Sequence, residues 1–283
     1  MKDKMTGTLT VDGFQLNYRI EGEGIPVIII GSSIYYPRVF SKNLCASLKM
    51  IFTDHRGFGK AIQSVNNADF ELNKLVDDVE VLREKLGLTQ FVLMGHSGHA
   101  LIALEYAKKY PEYVSHLVLI AQSPDGSSAS FSAADKYFQE SVCPERKSLL
   151  AKNLATLDAE IAKSPQNAFI TRALKFGPMI WYQPDYDASR LWRDVEIIPE
   201  MFDYVWGQLF KEIDIMKGLN KFNKPVLLML GRYDYWNSPH LWEPLRSKFK
   251  NLTIRVFEKS GHTPQFEESE YFDKELLQWI SPY

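Results

Sequence analysis

The sequence predicts an α/β fold, with a mostly parallel sheet of eight strands flanked by helices and a helical insertion. Short apolar runs alternate with segments of helical periodicity in residues 1–125 and again in residues 221–283, which is typical of a parallel sheet with crossover helices. The run at 27–30 is apolar throughout, as in a strand covered on both faces. Residues 126–220 have a helical pattern and no convincing strand. We therefore expect a sheet domain made of 1–125 and 221–283, with 126–220 inserted as a helical cap.

The elements before the insertion each have their own signal. Residues 8–11 and 14–20 alternate between polar and apolar around an Asp-Gly pair, which favours a tight hairpin. The segment 71–86 has apolar residues at helical spacing on one face, and Gly87 is suited to end this helix. Further predicted elements are strands at 26–30, 50–53, 91–94 and 116–121, and a helix at 101–110.

After the insertion, the alternation of strand and helix resumes. The later predicted elements are strands at 225–231 and 252–257, a helical stretch at 240–249 and a closing helix at 266–280. The chain has 283 residues, of which 45% are hydrophobic, and this is enough apolar material for one large domain or one domain with an insertion.

Composition excludes several classes of function. The net charge is -2, and no basic patch stands out, so nucleic acid is not an expected partner. The two cysteines, Cys45 and Cys143, are far apart in sequence, and no histidine and acid cluster has metal-ligand spacing, so we predict no disulfide framework and no metal. The polar start lacks a signal peptide and no apolar run reaches the length of a membrane span, so we expect a cytoplasmic protein. The oligomeric state is left open.

The chain is organised around a serine turn that follows the central predicted strand. The apolar run at 91–94 leads into Gly-His-Ser-Gly-His at 95–99 and then into a helix. A buried strand, a sharp turn with a serine at its tip and a helix are the context of a nucleophile elbow. Such a turn exposes the Ser97 hydroxyl and directs the first N–H groups of the helix towards a ligand. The structural alternative is an N-capping serine with no catalytic role.

The elbow departs from the Gly-x-Ser-x-Gly pattern at its last position, where His99 replaces glycine. Strand and helix pass closely at this point, so the pattern keeps the neighbouring side chains small. A histidine here is more often packed or hydrogen-bonded than catalytic. The alternative is that His99 forms part of the wall of a substrate pocket, in which case its replacement by glycine would change substrate preference.

Polar residues follow the predicted strands at the edge where ligands bind in open α/β sheets. Ser33 lies after the third strand, Ser97 after the fifth and Asp125 after the sixth. Asp234 follows the seventh strand and His262 the eighth. One edge of the sheet therefore offers a serine, two candidate carboxylates and a histidine.

These residue types suit nucleophilic catalysis at a carbonyl group. A serine hydroxyl needs a base, and an imidazole can remove its proton near neutral pH and then protonate the leaving group. A carboxylate fixes the tautomer of the imidazole, and backbone N–H groups hold the developing oxyanion. We predict the N–H groups of Gly98 and Ser33 as oxyanion donors, and either Asp234 or Asp125 as the acid.

With these motifs in place, the chain resembles the lid-bearing α/β-hydrolases, and among them the proline iminopeptidase-like and small-esterase branch. The resemblance runs from Gly13 to Ile280 and implies Ser97 as nucleophile, Asp234 as acid and His262 as base. Gly-Ser replaces the usual His-Gly of the oxyanion loop, and the tryptophan-containing elbow of proline iminopeptidases is absent. The matching motifs are Asp-His-Arg-Gly-Phe-Gly at 54–59, Gly-His-Ser at 95–97, Ala-Leu-Glu-Tyr-Ala at 103–107 with Tyr-Pro at 110–111, Gly-Arg-Tyr-Asp at 231–234 and Ser-Gly-His at 260–262.

The insertion is rich in aromatic and acidic residues. Most of the aromatic side chains are expected in the core, and some are expected to line an apolar pocket over Ser97. The acids form either a solvated helix face or a receptor for a substrate ammonium. The predicted pocket residues are His99, Tyr35, Trp181, Tyr182 and Trp206, and the acids are Glu160, Asp187, Glu196, Glu200, Asp203 and Glu212.

The sequence thus predicts a serine hydrolase that cleaves a small ester or amide through an acyl-enzyme and requires no cofactor. A proline iminopeptidase-type aminopeptidase, with a short peptide substrate, is the alternative within hydrolysis. An alternative of another class is a ligand-binding or sensor protein that keeps the triad and has little turnover, because a fold does not fix function.

Overall fold

The computed structural model describes residues 5–124, 127–140, 143–219 and 222–281. Within them the strands are β1 (Met5–Val11), β2 (Phe14–Glu21), β3 (Ile25–Gly31), β4 (Leu48–Asp54), β5 (Lys60–Ala61), β6 (Phe91–His96), β7 (Val114–Ile120), β8 (Val226–Gly231) and β9 (Leu252–Phe257). They form one sheet in the order β1-β2-β4-β3-β6-β7-β8-β9, and β5 pairs with β2. β1, β2, β4 and β5 pair antiparallel through β2, while all other neighbouring strands are parallel. The prediction of a mostly parallel α/β sheet is confirmed.

The first hairpin forms where the Asp-Gly pair predicted it. Asp12 and Gly13 both have positive φ, 46° and 81°, as the tight turns that match the twist of two paired strands require. The eight predicted strands make up the path of the sheet. β5 is an addition that the pattern could not indicate, because two residues have no periodicity.

The parallel strands end level with one another, and this places their polar loops side by side. Ile30 pairs with Gly95 in register, His96 with Ile120, and Gly231 with Phe257. β6 and β8 are buried at every residue, in agreement with their continuous apolar sequences. The loops that carry Ser97, Asp234 and His262 therefore leave the sheet at the same edge.

Helices cover the sheet, and α2 and α3 follow the predicted segments closely. α2 buries Leu75, Val76, Val79 and Leu82 on one face. The described residues contain no helix with the length and apolarity needed to span a membrane. The helices are α1 (Tyr36–Val39), α2 (Leu72–Lys85), α3 (Gly98–Lys109), α4 (Ser128–Gln139), α5 (Pro144–Leu154), α6 (Leu157–Lys163), α7 (Ala168–Lys175), α8 (Gly177–Ile180), α9 (Pro199–Tyr204), α10 (Phe210–Glu212), α11 (Pro264–Glu267) and α12 (Ser269–Ile280). Five-residue or shorter 3₁₀ turns also occur, with a longer 3₁₀ segment at Pro239–Lys248 and a π-helical turn at Val205–Leu209.

The helices α4 to α10, which we call the cap helices, lie between β7 and β8 in the chain. Aromatic rings hold them together: the rings of Phe169 and Phe202 are 4.1 Å apart between centroids, and those of Phe202 and Trp206 are 4.9 Å apart. Backbone hydrogen bonds join them to the strand-end loops, since Ile198 N–H donates to the carbonyl of Gly57 over 2.8 Å. These contacts place an aromatic layer over the edge of the sheet where the polar loops end.

The Asp-His-Arg turn after β4 is anchored by a buried arginine. Arg56 is 1% exposed, and its Nε and Nη2 donate to the two carboxylate oxygens of Asp78 over 2.7 and 2.8 Å. Nη2 also donates to Asp12 over 2.9 Å, and Nη1 donates to the carbonyl of Asp69 over 2.9 Å. Since Asp78 lies on α2 and Asp12 in the first hairpin, one guanidinium ties the turn to two distant elements.

Candidate active site

A cavity of about 510 Å³ lies between the strand-end loops and the cap helices. Ser97, Gly98 and His262 border this cavity together. The structure therefore brings the predicted nucleophile, one predicted oxyanion donor and the predicted base to one place. The other predicted pocket residues that border the cavity are Tyr35, His99, Trp181 and Trp206.

Ser97 sits at the tip of a strained turn between β6 and α3. Its φ of 57° and ψ of -132° are unusual for a residue with a side chain, and such strain is commonly held at functional turns. The turn is fixed by the Ser97 N–H, which donates to the carbonyl of Ile120 over 2.8 Å. A Cβ on Gly95 would lie 2.5 Å from the carbonyl oxygen of His99, so the sharp turn requires glycine two residues before the serine.

The predicted acid and base are in direct contact. Nδ1 of His262 lies 2.7 Å from Oδ2 of Asp234, and Asp234 is fully buried at 0% exposed. The other oxygen of Asp234, Oδ1, accepts the N–H groups of Trp236 and Asn237 over 3.0 and 2.9 Å. A carboxylate accepts, so the proton of a neutral His262 lies on Nδ1 and its Nε2 is left as the basic nitrogen.

The loop that carries His262 is held by the cap and by a carboxylate. The His262 N–H donates to the carbonyl of Ile180 over 2.6 Å. Glu267 accepts the N–H of Gly261 over 2.9 Å, that of Thr263 over 3.2 Å and that of Tyr182 over 2.6 Å. The cap segment at α8 and the histidine loop are thus joined directly, so the position of the base depends on cap residues.

Burial raises the pKa of Glu267 from 4.5 to about 7, against the lowering effect of its three backbone N–H donors. Between pH 4.5 and 7 the folded protein therefore binds more protons at this carboxyl than the unfolded chain does. The free energy of unfolding consequently falls as the pH rises through this window. Stability linked to Glu267 is present at pH 4.5 and is lost above pH 7.

We expect Glu267→Gln to remove this component of the pH dependence. Between pH 4.5 and pH 8, the free energy of unfolding of the wild type should fall by about 3 kcal/mol more than that of the variant. Urea unfolding at both pH values measures the difference, and the exposed neighbour Glu270→Gln controls for the lost charge. An equal fall in wild type and Glu267→Gln would show that this carboxyl ionises alike in both states.

The two predicted oxyanion donors differ in their placement. Gly98 borders the cavity at the start of α3, and a Cβ there would lie 2.7 Å from the rings of Trp206 and Phe210. The structure does not place Ser33 as predicted. Ser33 does not border the cavity, and its N–H donates to Oδ1 of Asp54 over 2.6 Å. The carboxyl of Asp54 is buried behind the loop after β3 and takes the N–H that was expected to face the substrate.

One further predicted pocket residue, Tyr182, is placed elsewhere. Tyr182 does not border the cavity, because its ring packs against that of Tyr233 at 4.8 Å and its N–H is bound by Glu267. Trp181, one residue earlier, borders the cavity instead, since the chain is extended here and successive side chains point to opposite sides. Asp125, the rival acid, lies outside the described residues.

His99 combines both roles that the sequence left open. It borders the cavity, yet it is only 6% exposed, and both its ring nitrogens have partners. Nδ1 lies 2.8 Å from Oη of Tyr36, and Nε2 lies 2.8 Å from Nε2 of His55. Burial holds the pKa of His99 well below its usual value, and the nearby rings of His55 and His96 lower it further. His99 is therefore a neutral, hydrogen-bonded part of the wall.

Sequence reasoning missed several cavity residues. Tyr36 stands beside a predicted residue, and Asn237 follows the acid loop, so nearness to a motif was a usable signal for both. Arg172 on α7 is exposed and borders the cavity, but no motif surrounds it. Asp203 on α9 was not missed: it is one of the cap acids offered as an ammonium receptor, and it is exposed and borders the cavity. Further cavity residues whose position the sequence did not predict include Phe58, Gln122, Phe169, Trp192, Phe202 and Trp236.

Comparison with known protein families agrees with this geometry. The model of the alpha/beta hydrolase fold family matches residues 29–269. The chain belongs to the α/β hydrolase fold family. The predictions of this family, of its fold and of an enzyme of this superfamily are therefore confirmed.

Relatives of this α/β hydrolase cover almost its whole length. The AB hydrolase superfamily protein YclE of Bacillus subtilis (strain 168) is 37% identical over 95% of this chain and 96% of its own. A proline iminopeptidase of Clostridioides difficile (strain 630) is 25% identical over 97% of both chains. Among solved structures, the proline iminopeptidase of Mycobacterium smegmatis matches with a TM-score of 0.75 and 16% identity over 97% of both chains. An esterase from Exiguobacterium antarcticum matches with a TM-score of 0.70 and 20% identity over 95% of this chain and 97% of its own.

Proposed function

We propose that this α/β hydrolase is a serine hydrolase that cleaves a small, partly apolar ester or amide through an acyl-enzyme. The observation that carries the proposal is the 2.7 Å contact between Asp234 and His262, whose ring borders the same cavity as Ser97. The contact between the acid and the base is observed. The hydrogen bond from Ser97 Oγ to His262 Nε2 is part of the proposal. Such links commonly tighten only when substrate is bound.

In the proposed reaction, Ser97 Oγ attacks the acyl carbon while Nε2 of His262 takes the hydroxyl proton. The carbonyl oxygen becomes an oxyanion, and Asp234 stabilises the imidazolium. Collapse of the tetrahedral intermediate breaks the bond to the leaving group, which receives the proton from His262. Water then attacks the acyl-enzyme by the same route and releases the acid and the free Ser97 hydroxyl.

The Gly98 N–H is the oxyanion donor that the proposal retains. It is the first amide of α3, has no acceptor in the helix, and borders the cavity beside the nucleophile. An oxyanion there would also be stabilised by the positive end of the helix dipole. Ser33 is not kept in this role because Asp54 already accepts its N–H.

The cavity wall favours an apolar acyl or alcohol group. Rings of Phe169, Phe202 and Trp206 form a continuous aromatic surface on the cap side, and apolar surface of this kind binds ligands by displacing water. The exposed charges on the cap side of the cavity, Arg172 and Asp203, have opposite signs. We also propose that residues 126–220 form a cap that selects small substrates, on a core made of residues 1–125 and 221–283.

Intact-mass measurement after treatment with a fluorophosphonate tests the proposal. We expect one covalent adduct on the wild type and none on Ser97→Ala, because only a serine activated by a base reacts with this reagent. Short acyl esters should be hydrolysed by the wild type alone. An unlabelled, folded wild type would contradict the proposal and favour a binding protein with little turnover.

A proline iminopeptidase-type activity is the second candidate, supported by one cap acid and by the names of relatives. Asp203 on α9 borders the cavity and could receive a substrate ammonium, and several relatives are proline iminopeptidases. Arg172 borders the same cavity and its positive charge opposes an ammonium. We therefore rank this function below ester hydrolysis.

Proline 4-nitroanilide separates these two functions. If the site takes an N-terminal ammonium, Asp203→Asn should lower kcat/KM for this amide by about tenfold and leave hydrolysis of a neutral acyl ester unchanged, since one charged contact is lost. Turnover of acyl esters with no cleavage of the proline amide would reject the peptidase.

A further inference from the structure

Three histidines and a tyrosine in the cavity wall and directly behind it form a hydrogen-bonded chain that the proposed triad does not use. His55, Tyr36, His96 and His99 are between 2% and 6% exposed. Nε2 of His55 lies 2.8 Å from Nε2 of His99, and Nδ1 of His99 lies 2.8 Å from Oη of Tyr36. Oη of Tyr36 lies 3.2 Å from Nδ1 of His96, and Nε2 of His96 lies 2.6 Å from the carbonyl oxygen of His262. The chain thus ends on the main chain of the proposed base.

The two ends of the chain fix where each proton lies. Gly57 N–H donates to Nδ1 of His55 over 2.9 Å, so the proton of neutral His55 is on Nε2. That N–H must donate to Nε2 of His99, which places the proton of His99 on Nδ1, directed at Tyr36. At the other end a carbonyl oxygen can only accept, so His96 has its proton on Nε2 and accepts the hydroxyl proton of Tyr36 at Nδ1.

The rings are neutral, as this assignment requires. Burial lowers the pKa of His55 and of His96 to about 3, and that of His99 falls well below its usual value for the same reason. A second proton on His99 would put its Nε2–H against the Nε2–H of His55, and a second proton on His55 would put its Nδ1–H against the N–H of Gly57. With neutral rings every donor in the chain meets an acceptor, and the Nδ1–H of His99 has a second acceptor, the carbonyl oxygen of His96 at 3.1 Å. A buried polar network whose donors are all satisfied stabilises a single arrangement.

We propose that His99 and Tyr36 are positioning residues, which orient the His96 ring so that its Nε2–H holds the main chain of His262 beneath the substrate cavity. The proposal rests on the proposed function, because it takes His262 as the base. It gives a reason for His99 in place of the elbow glycine, since glycine there would leave Nε2–H of His55 and Oη of Tyr36 without this partner.

The main chain of His262 is held from two sides. Its N–H donates to the carbonyl of Ile180 over 2.6 Å, and its carbonyl accepts from His96 over 2.6 Å. If Tyr36 loses its hydroxyl, Nδ1 of His96 is left buried without a donor, and such an orphaned atom is costly. His96 borders the cavity, so its Nδ1 regains a partner only if the ring turns towards the cavity, and such a turn weakens the bond from Nε2 that fixes the base.

Long-range ¹H–¹⁵N spectra of the histidine-labelled wild type test the chain independently of turnover. We expect the Nδ1–H tautomer for His99 and the Nε2–H tautomer for His55 and His96, unchanged between pH 6 and pH 8. Replacement of each histidine in turn assigns the signals. An Nε2–H tautomer at His99, or a His99 signal that titrates in this range, would overturn the proposal.

Kinetics of matched variants test the positioning role. Tyr36→Phe and His99→Leu should each lower kcat for a short acyl ester by about tenfold with little change in KM. His99→Asn should recover part of this loss, because its amide N–H can replace Nδ1–H towards Tyr36. His240→Gln, which alters an exposed histidine that does not border the cavity, is the control. Unchanged kcat in folded Tyr36→Phe and His99→Leu would overturn the proposal. A wild type with these tautomers and no fluorophosphonate adduct would instead refute the proposed function.

Discussion

Asp234→Asn is expected to lower kcat by about 10⁴-fold without unfolding the protein. Oδ1 of Asp234 accepts two backbone N–H groups, so an asparagine keeps its amide oxygen at that position. Its NH₂ group then replaces Oδ2 and faces Nδ1 of His262, which lies 2.7 Å away in the wild type. An NH₂ group donates, so the proton of His262 moves to Nε2, and that nitrogen can no longer accept the proton of Ser97.

Steady-state hydrolysis of a short acyl ester, together with a thermal melt, measures this effect. Asp135→Asn, which changes an exposed acid on α4, is the matched control and should keep the wild-type rate. Near-normal turnover by a folded Asp234→Asn would transfer the role of the acid to Asp125, which follows β7.

The fold was predictable because its signals are local. Continuous apolar runs predicted the buried strands, and β9 at Leu252–Phe257 has the predicted bounds. Residues 266–280 were expected as one closing helix, but the structure has two, α11 and α12, divided at Glu268. The division arises because the backbone of Glu268 is not helical, with φ of -126° and ψ of 52°, and its carboxylate binds the N–H of Lys259, a contact that no helical pattern shows.

The candidate site was predictable only where a residue follows a strand directly. Ser97, Asp234 and His262 follow β6, β8 and β9, which end at one edge of the sheet with only β7 between the first two, so topology brings them near one another. Ser33 was misplaced because the direction of its N–H depends on Asp54, which belongs to a different strand. The side of the chain on which Tyr182 lies depends on Glu267, which is distant in sequence.

The histidine chain was beyond sequence reasoning for the same reason. Its members come from α1, the turn after β4, the end of β6 and the start of α3. Each histidine alone fits an ordinary structural role, because a single histidine is more often packed or hydrogen-bonded than functional. Only their mutual distances show that His99 continues a chain to the main chain of the proposed base.

Arg56→Met is expected to lower the free energy of unfolding by about 3–5 kcal/mol. Asp78 is 5% exposed, and burial already raises the pKa of its carboxyl while Arg56 opposes this rise. Without the guanidinium, Asp78 is left as an unpaired buried carboxylate, whose desolvation is no longer offset. Urea unfolding at pH 7 measures the loss.

A double variant shows which part of this loss is electrostatic. Arg56→Met with Asp78→Leu removes both charges, so it should recover more than half of the stability lost in Arg56→Met. Asp12→Asn removes the partner of Arg56 that is 56% exposed, and it should cost no more than about 1 kcal/mol. A double variant as unstable as Arg56→Met would refute the electrostatic explanation. The loss would then come from the hydrogen bond to the Asp69 carbonyl and from the packing of the guanidinium over Phe14, 4.9 Å from the ring centroid.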